Sequence, residues 1–387
     1  MKEFLPYGRQ SIGEDDIEAV AEVLRGDWLT TGPAVAAFEE AFAREVDAPH
    51  ALACANGTAA LHLALAGLGI GPGDVCIVPA ITFLATANSA LYCGADVEFC
   101  DVDPETGLMT QPALLEALDR AGGRAAAVLP VHIAGQPVDM AAIAATARDA
   151  GLKIVEDSCH AIGTLADHHP IGSCVYSDAA TFSFHPVKTI AAGEGGMITT
   201  RDPGLAARIA LMRSHGMERD PEHLERGADE PWWYEMQSIG WNYRMTDIQS
   251  ALAHSQLKKL GAFKQERMLI AERYDALLAP LAPAILPLAR VPNADLCLHL
   301  YPVRIDFDAL GVSRPAVMAA LRDHGIGTQV HYIPLYKQPF YRQRYGQTSR
   351  DGAEQYYART LSLPLYAGLP EDGPERVVSA LKDVLGL

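Results

Sequence analysis

Residues 181–196 have the sequence Thr-Phe-Ser-Phe-His-Pro-Val-Lys-Thr-Ile-Ala-Ala-Gly-Glu-Gly-Gly and carry the strongest structural signal in the chain. An apolar run rich in β-forming residues ends near Ser183, a turn with a proline follows, and Lys188 precedes a glycine-rich reversal. A lysine in a partly dry pocket at a strand end loses its proton more easily and can attack a carbonyl carbon as a free amine. The segment therefore predicts a strand that presents a nucleophilic lysine.

A second apolar strand, earlier in the chain, ends in an acid. Its last residues are Val155-Glu-Asp157. A lysine that forms a Schiff base and an aspartate that pairs with a pyridinium nitrogen are the protein's part of pyridoxal 5'-phosphate (PLP) chemistry. Lys188 and Asp157 therefore indicate an enzyme with PLP as its cofactor.

Short apolar runs alternate with helical patterns through about residue 200, which predicts an α/β fold with a mainly parallel sheet and helices on both faces. The predicted strands are Ala51–Cys54, Val75–Val78, Val97–Cys100, Ala126–Leu129, Ile154–Val155 and Ala179–Phe184. The predicted helices are Gly57–Gly67, Ala85–Tyr92, Pro112–Leu118 and Met140–Ala150. Ligands of such sheets bind beyond the carboxyl ends of the strands. Asn56, Thr82, Asp157 and Ser183 all lie at such ends.

The pattern changes after about residue 245. A helix from Ile248 to Leu278 is predicted, followed by a proline-rich crossing, a strand His299–Ile305 and a helix Pro315–His324. We therefore expect two domains. Residues 1–250 would form an N-terminal arm and a large PLP-binding α/β domain, and residues 251–387 a linking helix and a small C-terminal α+β domain.

Charge and hydropathy argue against several classes of protein. The net charge of −17, with no cluster of Lys and Arg, opposes a nucleic-acid surface. The most apolar stretch, residues 51–71, is interrupted by Asn56 and His62 and does not predict a membrane span. The first residues lack the apolar core of a secretory leader, so a cytoplasmic location is expected.

The segment Asn56-Gly-Thr-Ala-Ala60 follows a strand and opens a helix. Free backbone amides and the Thr58 hydroxyl at such a helix start can face a phosphate. The alternative is an ordinary helix cap without a ligand. Ser183 and Asn242 are further candidates for phosphate contacts.

Three other residues are candidates for contacts with the cofactor ring. Phe83, at a junction between loop and helix, could stack on the pyridine, or it could be an ordinary core residue. Asp157 could bind the ring nitrogen or cap a helix, and His160 could bind the 3'-oxygen or be a structural histidine. His168-His169 lacks a suitably spaced third ligand, so no metal site is predicted.

Taken together, these segments resemble the DegT/DnrJ/EryC1/StrS family of PLP-dependent sugar aminotransferases over nearly the whole chain. The resemblance implies the PLP-dependent transferase fold of type I, which is that of aspartate aminotransferase. The motifs that carry it are Gly-Asp-Trp-Leu-Thr-Thr-Gly32, Asn56-Gly-Thr-Ala-Ala-Leu61, Thr82-Phe-Leu-Ala-Thr86, Phe182-Ser-Phe-His-Pro-Val-Lys188, Gly193-Glu-Gly-Gly196, Arg213-Ser-His-Gly216, Trp241-Asn-Tyr-Arg-Met-Thr-Asp-Ile-Gln249 and Val330-His-Tyr-Ile-Pro334.

The resemblance implies a role for each matching position. Lys188 would form the Schiff base, Asp157 would pair with the pyridinium nitrogen and Phe83 would stack on the ring. The implied phosphate contacts are Thr58, Ala59 and Ser183, together with Asn242, which would reach across a homodimer to the neighbouring cofactor. Many members of the family carry Gln where this chain has His160.

Within the family, the motifs around Arg213 and residues 329–336 are most similar to members that act in pseudaminic acid biosynthesis. The substrates implied are L-glutamate and UDP-2-acetamido-2,6-dideoxy-β-L-arabino-hexos-4-ulose, which would be aminated at C4 by a ping-pong reaction through the pyridoxamine 5'-phosphate form. By family position, Tyr7, Thr30, His331 and Tyr332 are candidates for sugar or diphosphate contacts. Arg213 could add positive charge for the diphosphate.

Three alternatives remain open at this stage. The chain could aminate another keto-deoxysugar nucleotide, of the bacillosamine, legionaminic or dTDP-sugar type. It could be a related sugar dehydratase, although such relatives replace the lysine by histidine and Lys188 argues against this. It could also be a catalytically silent PLP-binding regulator.

Overall fold

The computed structural model describes residues 3–225 and 230–387 of the chain. Residues 1–2 of the predicted N-terminal arm lie outside the described residues. Within the described ranges, no helix combines the length and the apolar composition that crossing a bilayer requires.

A seven-stranded sheet forms the centre of the larger part of the molecule. Its strands are β1 (His50–Cys54), β2 (Val75–Pro79), β3 (Asp96–Cys100), β4 (Ala125–Val128), β5 (Lys153–Asp157), β8 (Ala179–Ser183) and β9 (Gly196–Thr200), in the order β1-β9-β8-β5-β4-β2-β3. Only β9 runs against its neighbours β1 and β8, and the other pairs are parallel. The predicted mainly parallel sheet is confirmed, but β9 was missed because its region was assigned only to a glycine-rich reversal.

Among the described residues, eight helices pack against this sheet or against the helices that lie on it. They are α1 (Glu14–Arg25), α2 (Pro33–Glu45), α3 (Gly57–Gly67), α4 (Leu84–Tyr92), α5 (Gln111–Ala121), α6 (Met140–Asp149), α7 (Pro203–Met212) and α8 (Asp247–Leu257). The predicted helix Gly57–Gly67 has the observed bounds, and nearly all its residues are buried. A Cβ at Gly67 would lie 2.8 Å from Leu205 Cδ1 of α7, so glycine lets the two helices approach closely.

The prediction of one continuous helix from Ile248 to Leu278 is wrong. The segment forms α8 and a second helix, α9 (Leu260–Leu278), with a break at Lys258 and Lys259. Lys259 Nζ lies 2.6 Å from carboxylate oxygens of both Asp15 and Asp16 in α1. This anchor joins positions far apart in the sequence, so the local helical pattern could not reveal it.

The C-terminal part contains a smaller antiparallel sheet of β12 (Ile285–Pro287), β14 (Tyr301–Ile305) and β15 (Thr360–Leu363). Its apolar core is shared with α9, α10 (Arg314–Asp323) and α13 (Gly373–Leu385), and Leu5 of the N-terminal arm is buried in it. The predicted strand His299–Ile305 is thus shorter, and β12 and β15 were missed. The predicted domain boundary at residues 250 and 251, which falls inside α8, stays a prediction.

The remaining elements are short or pack on the larger part. They are β6 (Leu165–Ala166), β7 (His169–Pro170), β10 (Met217–Glu218), β11 (Glu235–Met236), β13 (Ala294–Asp295), α11 (Pro339–Tyr345) and α12 (Asp351–Arg359). Tyr341 of α11 and Tyr356 of α12 belong to the core of the larger part. The segment before α11, residues 329–338, is thereby held over the carboxyl ends of the parallel strands.

Candidate active site

A cavity of about 600 Å³ opens where the parallel strands end, between the sheet and residues 329–338. Nine of the residues proposed from the sequence line it, namely Tyr7, Thr58, Phe83, Asp157, His160, Ser183, Lys188, His331 and Tyr332. Four others, Thr30, Ala59, Arg213 and Asn242, do not. Among the described residues, no group of three His, Cys, Asp or Glu side chains is arranged to hold a metal ion.

One end of the cavity is the N-terminus of α3. The side chain of Asn56 accepts a hydrogen bond from the Ala59 amide at 2.9 Å, which leaves the amides of Gly57 and Thr58 without partners inside the helix. Because the Asn56 side chain already accepts from the Ala59 amide, the phosphate contact predicted for Ala59 stays a prediction.

The opposite wall of this end is the end of β8. A Cβ at Gly57 would lie 2.7 Å from Ser183 Cβ and 3.2 Å from its Oγ, so only glycine leaves the recess open. Free amides at a helix start, flanked by the Thr58 and Ser183 hydroxyls, form a cradle for a phosphate group. The local residues therefore fit the phosphate of PLP.

Asp157 ends β5 and is 5% exposed. Its Oδ2 accepts a hydrogen bond of 2.7 Å from Thr86 Oγ1, and its Oδ1 accepts one of 3.2 Å from the Cys159 amide. Thr86 in turn shares a hydrogen bond of 2.7 Å with Thr82. These donors hold the carboxylate in one orientation, facing the same cavity as Lys188.

Lys188 lies in the loop that joins β8 to β9. Its backbone amide donates a hydrogen bond of 2.8 Å to the carbonyl of His185, which closes a turn. The Phe184 amide donates to the Gly195 carbonyl and closes the loop. Burial lowers the pKa of Lys188 below its ordinary value, while nearby Cys159 and Asp157 oppose that shift. A lowered pKa enlarges the fraction of free amine, which is the nucleophilic form.

Aromatic and imidazole side chains form the remaining walls. Phe83 is 55% exposed and its ring centroid lies 6.0 Å from that of Tyr332, so the alternative that it is a core residue is wrong. His160 is buried, and its two ring nitrogens contact the Ala134 amide and the Tyr332 hydroxyl. Burial lowers the pKa of His331 to about 3, and its Nδ1 lies 2.8 Å from Ser362 Oγ.

The structure does not bring Arg213 or Thr30 to the cavity. The Arg213 guanidinium pairs with the Glu39 carboxylate and donates to the Ala53 carbonyl at 2.6 Å, so it joins α2, β1 and the end of α7. Thr30 is exposed and bridges to Thr246. The positive charge expected from Arg213 is therefore committed to a structural ion pair.

Asn242 is exposed, bridges to Ser214 and lies outside this chain's cavity. Its predicted role requires a second chain and is not contradicted by this position. The cavity also contains residues that the sequence did not suggest, among them Glu194, His299, Gln329 and Gln338. Glu194 and Gln329 lie in motifs given above, which indicated no role for these two side chains. His299 and Gln338 come from segments that meet the others only in the fold.

Comparison with known proteins agrees with this geometry. Residues 10–382 match the model of the DegT/DnrJ/EryC1/StrS aminotransferase family. The spore coat polysaccharide biosynthesis protein SpsC of Bacillus subtilis (strain 168) is 40% identical over 385 residues, covering 99% of this chain and 97% of that protein.

Two solved structures are similar over their whole length. Helicobacter pylori PseC, an aminotransferase involved in the biosynthesis of pseudoaminic acid, superposes with a TM-score of 0.91 at 30% identity and covers 100% of both chains. The PLP form of the putative sugar aminotransferase Spr1654 from Streptococcus pneumoniae has a TM-score of 0.90 at 27% identity and covers 99% of both chains. These matches confirm the type I fold and PLP as the cofactor.

Proposed function

The chain belongs to the DegT/DnrJ/EryC1/StrS aminotransferase family and is a PLP-dependent sugar aminotransferase, and we propose that its amino donor is L-glutamate. The proposed acceptor is UDP-2-acetamido-2,6-dideoxy-β-L-arabino-hexos-4-ulose, aminated at C4. The reaction has two halves, in which glutamate first gives up its amino group and leaves as 2-oxoglutarate, and the keto-sugar then receives that group. The convergence of Lys188 and Asp157 on one cavity with a phosphate cradle carries the proposal.

Bound PLP supplies an electron sink for the carbanion that forms at the substrate's Cα. In this proposal Lys188 Nζ holds the cofactor and, once the amino donor displaces it, moves the proton at Cα. Asp157 keeps the ring nitrogen protonated, Phe83 stacks on the ring, and Gly57, Thr58 and Ser183 hold the phosphate. Each of these side chains or amides borders the cavity described above.

Two similarities bear on the sugar. PseC, at 30% identity over the full length, acts in the biosynthesis of pseudoaminic acid and supports the UDP-sugar named above. SpsC, at 40% identity, acts in spore coat polysaccharide biosynthesis and favours a second candidate, another keto-deoxysugar nucleotide destined for a polysaccharide. Tyr7, His331 and Tyr332 line the cavity and are the residues proposed to contact either sugar.

The substrate is tested with nitrogen-15 glutamate and a panel of UDP- and dTDP-keto-sugars that differ in the keto position. We expect the proposed UDP-4-keto-sugar to give the highest kcat/KM, with the labelled amine at C4 by NMR. A panel member of another class that is aminated faster would replace the proposed sugar. Glutamate turnover without amination of any sugar would contradict the sugar assignment itself, and the Lys188→Ala variant provides the blank.

We also propose that the enzyme is a homodimer whose sites each use residues of both chains. Within one short segment Trp232, Met236 and Ile239 are 71%, 70% and 76% exposed, an amount of apolar surface that a second copy would cover. Asn242 follows this segment, is exposed and lies outside its own cavity. In the proposed dimer, Asn242 would serve the phosphate of the neighbouring site.

Mixed dimers test this arrangement. Lys188→Ala and Asn242→Asp chains should each be inactive alone. Lys188→Ala lacks the amine, and the Asn242→Asp carboxylate repels the phosphate. If Asn242 serves the partner's site, a refolded equal mixture should recover roughly a quarter of wild-type activity, since half the dimers carry one intact site. No recovery, with dimers verified by light scattering, would show that Asn242 acts within its own chain. Full activity of Asn242→Asp alone would show that Asn242 has no role in the site.

A further inference from the structure

Both ring nitrogens of His160 are engaged by the protein itself. The Ala134 amide donates to Nδ1 at 3.3 Å, and Nε2 lies 3.2 Å from the Tyr332 hydroxyl oxygen. A backbone amide can only donate, so Nδ1 accepts and the neutral ring carries its proton on Nε2. Nε2–H then donates to the Tyr332 oxygen, and the proton of the Tyr332 hydroxyl is left to donate elsewhere.

Neighbouring segments fix this direction of the hydrogen bonds from Ala134 through His160 to Tyr332. The Ala134 carbonyl accepts a hydrogen bond of 2.9 Å from the His299 amide, so one residue contacts both histidine residues through its backbone. A Cβ at Gly135 would lie 2.3 Å from the Cys297 carbonyl oxygen, which shows how closely the turn packs on residues 297–299. The His299 ring lies with its centroid 4.5 Å from that of His160 and covers one side of it.

The protonation states agree with this direction. Burial lowers the pKa of His160 and of His299 well below the ordinary value, so both rings are neutral near neutral pH. Burial also raises the pKa of Tyr332 well above its ordinary value, with Asp157 and Cys159 adding to that shift. Tyr332 therefore keeps its hydroxyl proton throughout the pH range in which the enzyme works.

We propose that Tyr332, oriented by His160, donates a hydrogen bond to an oxygen of the molecule bound in the cavity, and that His160 is a positioning residue. This differs from the direct contact between His160 and the cofactor's 3'-oxygen that the sequence suggested. Tyr332 lines the cavity beside Phe83, the residue assigned to the ring face. The inference rests on the proposed function, in which the accepting oxygen is either the 3'-oxygen of PLP or an oxygen of the sugar.

The test uses the PLP-loaded enzyme and two measurements. The first is the midpoint of the pH titration of the bound cofactor's absorbance without substrate, and the second is the kcat and KM for the sugar. Tyr332→Phe removes one oxygen and keeps the ring. We expect it to shift the titration midpoint by about one pH unit if PLP is the acceptor. If the sugar is the acceptor, the midpoint stays and kcat/KM falls roughly tenfold.

His160 is tested through its coupling to Tyr332. His160→Leu should reproduce the effect of Tyr332→Phe and add nothing to it in the double variant, because both act through one hydroxyl. His160→Gln, whose amide can accept from Ala134 and donate to Tyr332, should restore most of the wild-type value. These comparisons separate a positioning role from general loss of stability, which circular dichroism checks independently.

Two results would overturn the inference. One is a Tyr332→Phe enzyme with unchanged titration and unchanged kinetics. The other is a double variant in which the effect of His160→Leu adds in full to that of Tyr332→Phe. That result would favour a direct contact between His160 and the cofactor. Failure of the proposed function is seen separately, as a wild-type enzyme that aminates no sugar, and the absorbance titration still reports on the Tyr332 contact to PLP.

Discussion

The Lys188→Ala enzyme is expected to lose covalent attachment of PLP and at least about a thousandfold in kcat, the combined loss of a nucleophile and of a proton carrier. Burial lowers the pKa of Lys188, so the wild-type side chain supplies free amine inside the cavity. The cradle around Gly57, Thr58 and Ser183 is untouched by the substitution. PLP should therefore still bind, but without a bond to the chain.

Borohydride reduction followed by peptide mapping measures this directly. In the wild type, the reduced cofactor should be found on the peptide that contains Lys188 and on no other. Lys188→Arg is the matched control, because it keeps a long cationic side chain whose guanidinium does not give up its proton. Attachment to another lysine, or normal multiple turnover by Lys188→Ala, would refute the assignment of this residue.

Much of the site follows from residues that stand at strand ends. Asp157 and Ser183 are each placed by the strand that precedes them, and a parallel sheet brings such ends to one edge. Their convergence in one cavity could therefore be expected from the sequence. The same reasoning located α3 and its free amides at Gly57 and Thr58, because the helix start directly follows β1.

The features that the sequence did not indicate depend on long-range contacts. His299 enters the cavity because the turn at Ala134 and Gly135 packs against it, and these positions are far apart in the chain. Arg213 is withheld from the cavity by Glu39, a partner with no motif of its own. The local sequence pattern identifies which side chains lie at the ends of helices and strands. It does not identify which of them already have a hydrogen bond or ion pair with a residue distant in the sequence.

The second large effect is expected for Asp157→Asn, a change of charge with almost no change of shape. The asparagine oxygen can accept from the Cys159 amide, and its amide can donate to Thr86, whose hydroxyl can turn to donate to Thr82. The variant should therefore fold and bind PLP. It lacks the negative charge that would keep the pyridine nitrogen protonated, so the rate of the half-reaction with glutamate should fall by roughly two to four orders of magnitude.

Thr86→Val separates the charge of Asp157 from its orientation. It removes the hydrogen bond of 2.7 Å to Oδ2 but keeps the carboxylate, so the same half-reaction should slow by roughly tenfold or less. Single-turnover absorbance with glutamate measures both variants under one condition. If Asp157→Asn were no slower than Thr86→Val, the carboxylate would act only by holding the local structure, and its proposed pairing with the ring nitrogen would have to be abandoned.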